Sequence, residues 1–300
     1  LRNFDIVFVP GLRPKPESSV YRVALLRCIR FGLQRAGADD LTVGNELDEA
    51  FHLYSWTEEV YGEHRDIGRD QAGIDALLAA PDISPQQREE IDAPSRRLMR
   101  AAHRVGDRIP LLGRAFAGPR QRILLREARD YLRNRMGVGK TTREGFSELL
   151  ERVWSDERPL VIVGHSLGSV IAYDTLWELS RSSSKRVAAF ITLGSPLGTR
   201  FVRKLIFGAD RQGEARYPSN IDRWVNIAAR GELTALYPRL GRHFGEMVQL
   251  GLLESFEDHV DIYNYFFGER GLNVHSEYAY LIQPAFVAAL AEAVGGKRTD

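Results

Sequence analysis

Serine becomes a nucleophile only when a base takes its proton and an acid orients that base, so a serine built for chemistry is recognised by its setting. The stretch Gly164-His165-Ser166-Leu167-Gly168 offers such a setting. Before it runs the apolar Leu160-Val161-Ile162-Val163, a buried strand by composition. After it comes Ser169-Val170-Ile171-Ala172-Tyr173, which reads as an apolar helix. A tight turn between two such elements exposes the serine hydroxyl in a strained conformation, and glycines two positions either side let strand and helix close around it. The five residues alone are loose, since chance places a Gly-x-Ser-x-Gly in a chain of this length about one time in ten. The strand before and the helix after make Ser166 the expected nucleophile. A glycine turn that merely joins the two is the bland alternative.

A serine activated in this way is followed along the chain by an acid and then a histidine. His275, in Leu272-Asn273-Val274-His275-Ser276-Glu277, follows the last strand-like run by a loop. That places it at the carboxyl ends of the strands, where reacting groups gather in a parallel sheet. His259 is expected before that run, at the opposite edge, and His243 between strands. The same reasoning favours Glu232, in Ala229-Arg230-Gly231-Glu232-Leu233, which comes just after the run 224–228, over Asp222, which precedes it. Asp210, Asp258 and Asp261 are the remaining carboxylates considered. Glutamate serves by the same physics as aspartate, accepting the imidazole N–H and stabilising the imidazolium. The alternative for Glu232 is a solvated loop carboxylate paired with Arg230. Two backbone N–H groups must face the oxyanion of a tetrahedral intermediate. They are expected from Leu167, directly after the nucleophile, and from Leu12 in Val9-Pro10-Gly11-Leu12, where Gly11 permits close approach.

Positioning these residues requires a sheet. Strand-like runs at 4–9, 51–55, 160–163, 188–193, 224–228 and 260–263 alternate with helical stretches at 21–36, 142–154, 169–181 and 284–294. The alternation predicts crossover units and an α/β fold with a mostly parallel central sheet flanked by helices. About 100 residues separate the second run from the third, far more than a crossover needs. Ser84-Pro85 opens a helix there with proline in its first turn, and Pro110, Gly113, Gly118 and Pro119 break later helices. Residues 70–135 are therefore expected as a helical cap inserted into a core formed by 1–69 and 136–300.

Charge is unevenly spread. From Arg96 to Arg143 there are 14 basic and three acidic residues, a local +11 in a chain of net charge +1, so the remainder carries about −10. With the apolar Ile109-Pro110-Leu111-Leu112 in its midst, the segment reads as a lid whose arginines meet an anionic membrane surface or a partner. The other reading is a cap with a solvated arginine face. The balanced total gives no reason to expect nucleic acid. Gly137-Val138-Gly139-Lys140-Thr141-Thr142 imitates a phosphate-binding loop, but Asn134 stands where the first glycine belongs and no buried strand precedes it, so it is expected to be a linker. Ser195, before Pro196 and without flanking glycines, is expected to shape the pocket. Cys28 is the only cysteine, which excludes an internal disulfide and reads as a small buried hydrophobe. No run reaches the roughly 18 apolar residues of a membrane span. The expected compartment is cytoplasmic, although a chain that starts without Met and almost at once on a strand leaves room for a removed leader.

Residues 161–169, the turn Leu193-Gly194-Ser195-Pro196-Leu197 and His275 ahead of a helix together resemble the α/β-hydrolase superfamily. Within it they resemble the lipase and esterase branch that includes GPI inositol-deacylase-like proteins and lecithin:cholesterol acyltransferase relatives. The resemblance spans most of the chain outside the insertion. It implies an α/β-hydrolase fold and a serine hydrolase that cleaves a carboxylic ester, of lipid or acyl kind, through an acyl-enzyme on Ser166. It implies a small-molecule or lipid ester as substrate, with no cofactor and no metal. The acid in such lipases usually sits in an Asp-Pro-Val-like turn, where this chain has Glu232-Leu233-Thr234, and many relatives have His-Gly in place of Pro10-Gly11. Acyl transfer and thioester cleavage, which use the same triad, stay open beside hydrolysis, as does an inert hydrolase scaffold that binds lipid or protein.

Overall fold

Successive side chains of a strand point to opposite faces, and in this chain both faces of the inner strands are apolar. Ile6 and Phe8, Val161 and Val163, and Val225 and Ile227 enter one core; Val7 and Val9, Ile162, Phe190 and Trp224 enter another. A sheet buried on both sides results, which is why its strands read as continuous apolar runs. In the computed structural model, which describes residues 4–38, 46–108 and 119–295, the sheet has six strands, all parallel. They are β1 (Asp5–Val9), β2 (Phe51–Leu53), β3 (Leu160–His165), β4 (Val187–Leu193), β5 (Ile221–Ala229) and β6 (Ser255–Ile262), in the order β2-β1-β3-β4-β5-β6. Helices Ser18–Arg35, Glu277–Leu281 and Pro284–Val294 cover the first core, and helices Val138–Val153 and Leu167–Leu179 the second. Cys28 is fully buried in the first. No helix among the described residues is long and apolar enough to cross a membrane.

Three boundaries differ from expectation. β6 begins at Ser255, five residues before the apolar run, because a half-buried edge strand tolerates the polar Ser-Phe-Glu-Asp-His sequence. His259 therefore lies inside that strand, opposite Ile227, rather than before it. Asp222 likewise lies within β5, paired with Arg186. The segment 137–142 is not a linker: the helix Val138–Val153 starts there, and the Asn134 side chain accepts the Lys140 backbone N–H at 2.8 Å.

Between β2 and β3 lie helices Gly68–Ala79, Pro85–Ile91, Pro94–Arg108 and Pro119–Leu132. Ser84 caps the second of these in a reciprocal capping box with Gln87. The first begins two residues ahead of position 70 and sends Ile74 and Leu77 into the core. Its Gly73 packs against Phe266 of a small hairpin, β7 (Phe266–Gly268) with β8 (Gly271–Asn273). Residues 109–118, which hold the apolar stretch of the lid reading, lie outside the described residues.

The helix after Ser166 is anchored at Asp174, whose buried carboxyl accepts the Phe207 N–H at 2.9 Å and the Tyr131 hydroxyl at 3.3 Å. Burial pushes this carboxyl up to about 7. An unfolded chain releases the proton near pH 4 while the folded one keeps it, so this group favours folding in acid, and its contribution falls as pH rises from about 4 to 7, by on the order of 4 kcal/mol. Asp174→Asn removes that dependence. The variant is expected to gain stability over the wild type as pH rises across this window, measured by urea unfolding at several pH values. Parallel stability curves for the two proteins would contradict the assignment.

Candidate active site

The strand order reverses at β1, which has β2 on one side and β3 on the other, so the loops leaving the carboxyl ends of β1 and β3 diverge and open a crevice. Ser166 stands there. It joins β3 to the helix Leu167–Leu179 with φ 53° and ψ −124°, a conformation that costs a residue bearing a side chain about 1–3 kcal/mol. The surroundings hold it: its N–H donates to the Leu193 carbonyl at 2.9 Å, and its own carbonyl accepts from the Ser169 N–H at 3.1 Å and hydroxyl at 2.6 Å. The turn also needs small neighbours. A Cβ on Gly168 would lie 2.0 Å from the Val9 carbonyl oxygen, and one on Gly11 would lie 2.7 Å from the Ser166 Cβ.

The last of these contacts brings the loop carrying Leu12 against Ser166. Trp56 Nε1 pins that loop by donating to the Pro10 carbonyl at 2.8 Å. Arg13 continues it with φ 82° and donates its N–H to the Tyr61 hydroxyl at 3.2 Å. Leu167 opens its helix, where the first N–H groups have no acceptor within the helix and are open to a ligand.

The other expected residues also meet. Glu232 is fully buried and His275 lies about a quarter exposed, and the imidazole Nδ1–H donates to Glu232 Oε1. With that nitrogen protonated against a carboxylate, Nε2 carries the lone pair that can take a proton. The pair closes over Gly194, where a Cβ would lie 2.5 Å from Glu232 Oε1 and 2.9 Å from His275 Nδ1. Gly194 directly follows Leu193, whose carbonyl holds Ser166, so serine, acid and base gather around one turn. Among the described residues no hydrogen bond joins the Ser166 hydroxyl to the imidazole; such contacts are often long until substrate binds.

The competing assignments fall elsewhere. Arg230, the alternative partner of Glu232, pairs with Asp92 at 2.9 Å. Asp258 accepts the Leu240 and Gly241 N–H groups and the Asn226 amide. Asp210 and Asp261 are exposed, and His259 lies beside Glu257 on β6. Ser195 shares a 2.7 Å hydrogen bond with Ser169 and caps the turn at Leu197. Helix Pro94–Arg108 lies over the acid loop: Gly231 approaches Arg96, and Arg104 Nε donates to the Leu236 carbonyl at 3.3 Å.

Three supporting residues carry no signal in the sequence. Tyr280 donates its hydroxyl to Glu232 Oε2 and accepts the Ala229 N–H at 2.9 Å. His165, fully buried with its ring 4.6 Å from that of His275, donates from Nε2 to the His275 carbonyl at 3.0 Å. Burial, and then the neighbouring His275, push its imidazole down to about 3, so it stays neutral. Beneath it Glu277 accepts from Lys15 at 2.8 Å and Tyr21 at 2.6 Å. Burial opposes its charge, yet the Lys15 ammonium holds the carboxyl well below its usual range. The pairs that meet here are spaced 43 to 262 positions apart, beyond the reach of local pattern. Tyr280→Phe is expected to loosen Glu232 and lower kcat by about 10- to 100-fold in a folded protein. An unchanged kcat would make Tyr280 merely structural.

Among the described residues no group of three or more histidine, cysteine or carboxylate side chains is gathered to hold a metal ion. Compared with protein-family models, curated proteins and solved structures, the chain matches none.

Proposed function

We propose that the chain is a serine hydrolase of the α/β-hydrolase type that cleaves a carboxylic ester, of lipid or acyl kind, through an acyl-enzyme on Ser166. The observation that carries this reading is the strained Ser166 turn sharing residues 193–194 with the pair formed by buried Glu232 and His275. The substrate carbonyl sits between Ser166 Oγ and the N–H groups of Leu167 and Leu12. His275 Nε2 takes the hydroxyl proton as Oγ bonds to the carbonyl carbon, and the C=O electron pair moves onto oxygen. Each N–H aimed at that oxyanion is worth roughly 3 kcal/mol. Glu232, hydrogen-bonded to the Nδ1–H, stabilises the imidazolium. The ester C–O bond then breaks, the leaving alcohol takes the proton from His275, and the acyl group remains on Ser166. Water gives a proton to the same imidazole and attacks the acyl carbon; the bond to Ser166 Oγ then breaks, Oγ takes that proton back from His275, and the acid leaves. An alcohol in place of water turns the same steps into acyl transfer.

Helices Pro94–Arg108 and Pro119–Leu132 form the lid in this reading, with Leu98, Met99, Ile123 and Leu125 exposed between arginines. A series of nitrophenyl esters of rising acyl length tests the substrate class. The expected result is a burst of nitrophenol stoichiometric with protein, then turnover that rises with acyl length. A folded protein that turns over no member of the series would contradict the proposal.

A further inference from the structure

The loops that leave β4 and β5 border a second feature, a cleft of about 910 Å3 whose charged lining residues are all basic but one. Arg203, Arg216 and His243 are its half-buried groups. Arg104, Arg200, Lys204, Arg239 and Arg242 stand exposed around them. Against these seven arginine and lysine side chains stands one carboxylate, Asp210, so the lining carries +6 with His243 neutral. Asp210 itself lies 3.7 Å from Arg211.

The nearby carboxylates are committed elsewhere. Asp107 accepts the backbone N–H groups of Arg200 and Phe201, Asp258 those of Leu240 and Gly241, and Glu246 the Tyr217 hydroxyl. Arg104 and Arg203 donate to the backbone carbonyls of Leu236 and Gly198, and Arg216 stacks on Tyr217, contacts to groups that carry no negative charge. The field is felt within the cleft. Burial and then Arg203, Arg242 and Arg216 push His243 below its usual value, and Arg203 is lowered by burial and by its arginine neighbours against the pull of Asp107. Like charges held this close repel unless an anion joins them. Of the seven, only Arg104 belongs to the arginine-rich insertion, so the cleft is built by the sheet's own loops rather than by the cap.

We propose that this cleft binds a small molecule bearing two or three phosphate groups, either free in solution or as the headgroup of a lipid. Its volume falls within the roughly 300–1,000 Å3 of small-molecule sites. A phosphate ester carries about −1.5 to −2 at neutral pH, so three such groups match the lining's excess. Arginine forks offer each phosphate paired, charge-assisted N–H donors. Neither Ser166 nor His275 enters this site, which therefore stands or falls apart from the hydrolytic reading.

Titration calorimetry of the full chain with inorganic tripolyphosphate tests it. The expected result is saturable one-to-one binding that weakens as salt is raised. Arg203→Gln and Arg216→Gln each weaken it by at least about tenfold, and so does Arg242→Gln, which alters an exposed side chain and leaves the fold intact. Arg27→Gln, on the helix Ser18–Arg35, and Ser166→Ala bind as the wild type does. Vesicles carrying a bisphosphorylated inositol lipid then separate the two sources. Displacement of tripolyphosphate by them assigns the lipid headgroup, and retention of tripolyphosphate in their presence assigns a free solute. Failure of the folded wild type to bind tripolyphosphate, or equal losses in Arg27→Gln and the cleft variants, would overturn the proposal.

Discussion

Replacing His275 with alanine is expected to lower ester turnover by on the order of 10^6-fold, the loss seen when the base of a working triad is removed. Neither His165 nor His259 takes its place: His165 is buried and donates to a carbonyl, and His259 lies on the outer strand β6. The fold should survive, because the ring is about a quarter exposed and the contacts of the 275 backbone, from Asn273 to its N–H and from His165 to its carbonyl, remain in alanine. Circular dichroism should therefore match the wild type while kcat collapses, with a lowered melting temperature from the buried Glu232 Oε1 that loses its partner. A kcat within tenfold of wild type in a folded His275→Ala would remove this residue from the mechanism.

Glu232→Gln is expected to cost about 10^4-fold in kcat, and the structure gives the reason in atomic terms. The wild-type carboxylate serves two sides. Oε2 accepts from Tyr280 and, at 3.4 Å, from the Ala229 N–H, while Oε1 accepts from His275. An amide has only one acceptor oxygen. The two donors on the Tyr280 side draw it there, which turns the amide NH2 toward His275 Nδ1. The imidazole must then accept at Nδ1 and carry its proton on Nε2, the tautomer that cannot take a proton from Ser166. Glu232→Asp keeps the acceptor chemistry and should recover part of the rate at a cost in reach. If the Gln variant retained wild-type kcat, the acid would have to be sought in another carboxylate.

The sheet was legible because a strand buried on both faces is written as an apolar run, and β1, β3 and β4 are of that kind, while β5 shows such a run only from Trp224 on, broken by Asn226. β6 was legible only in part. It lies at the sheet edge, partly exposed, and its first residues are polar, so the apolar run marks only its end and His259 falls inside the strand. Ser166, Glu232 and His275 could be reached from sequence since each follows a strand, and strand ends point to one edge. Their supports could not. Tyr280 meets Glu232 across 48 positions, and Lys15 meets Glu277 across 262, by pairings that only the folded sheet creates. The basic cleft was hidden for a related reason: outside residues 96–143 the chain is acidic on average, and the basic residues of the two connections β4–β5 and β5–β6 cancel against distant carboxylates in any count along the sequence.

Covalent labelling with a fluorophosphonate probe bears most directly on Ser166 as an activated nucleophile. The probe reacts with a serine only where a base removes its proton and N–H donors receive the phosphonyl oxygen. A single adduct is expected on the wild type, mapping to the peptide that carries Ser166, and none on a folded Ser166→Ala. Labelling that persists in the alanine variant, or that fails in the folded wild type, would contradict it.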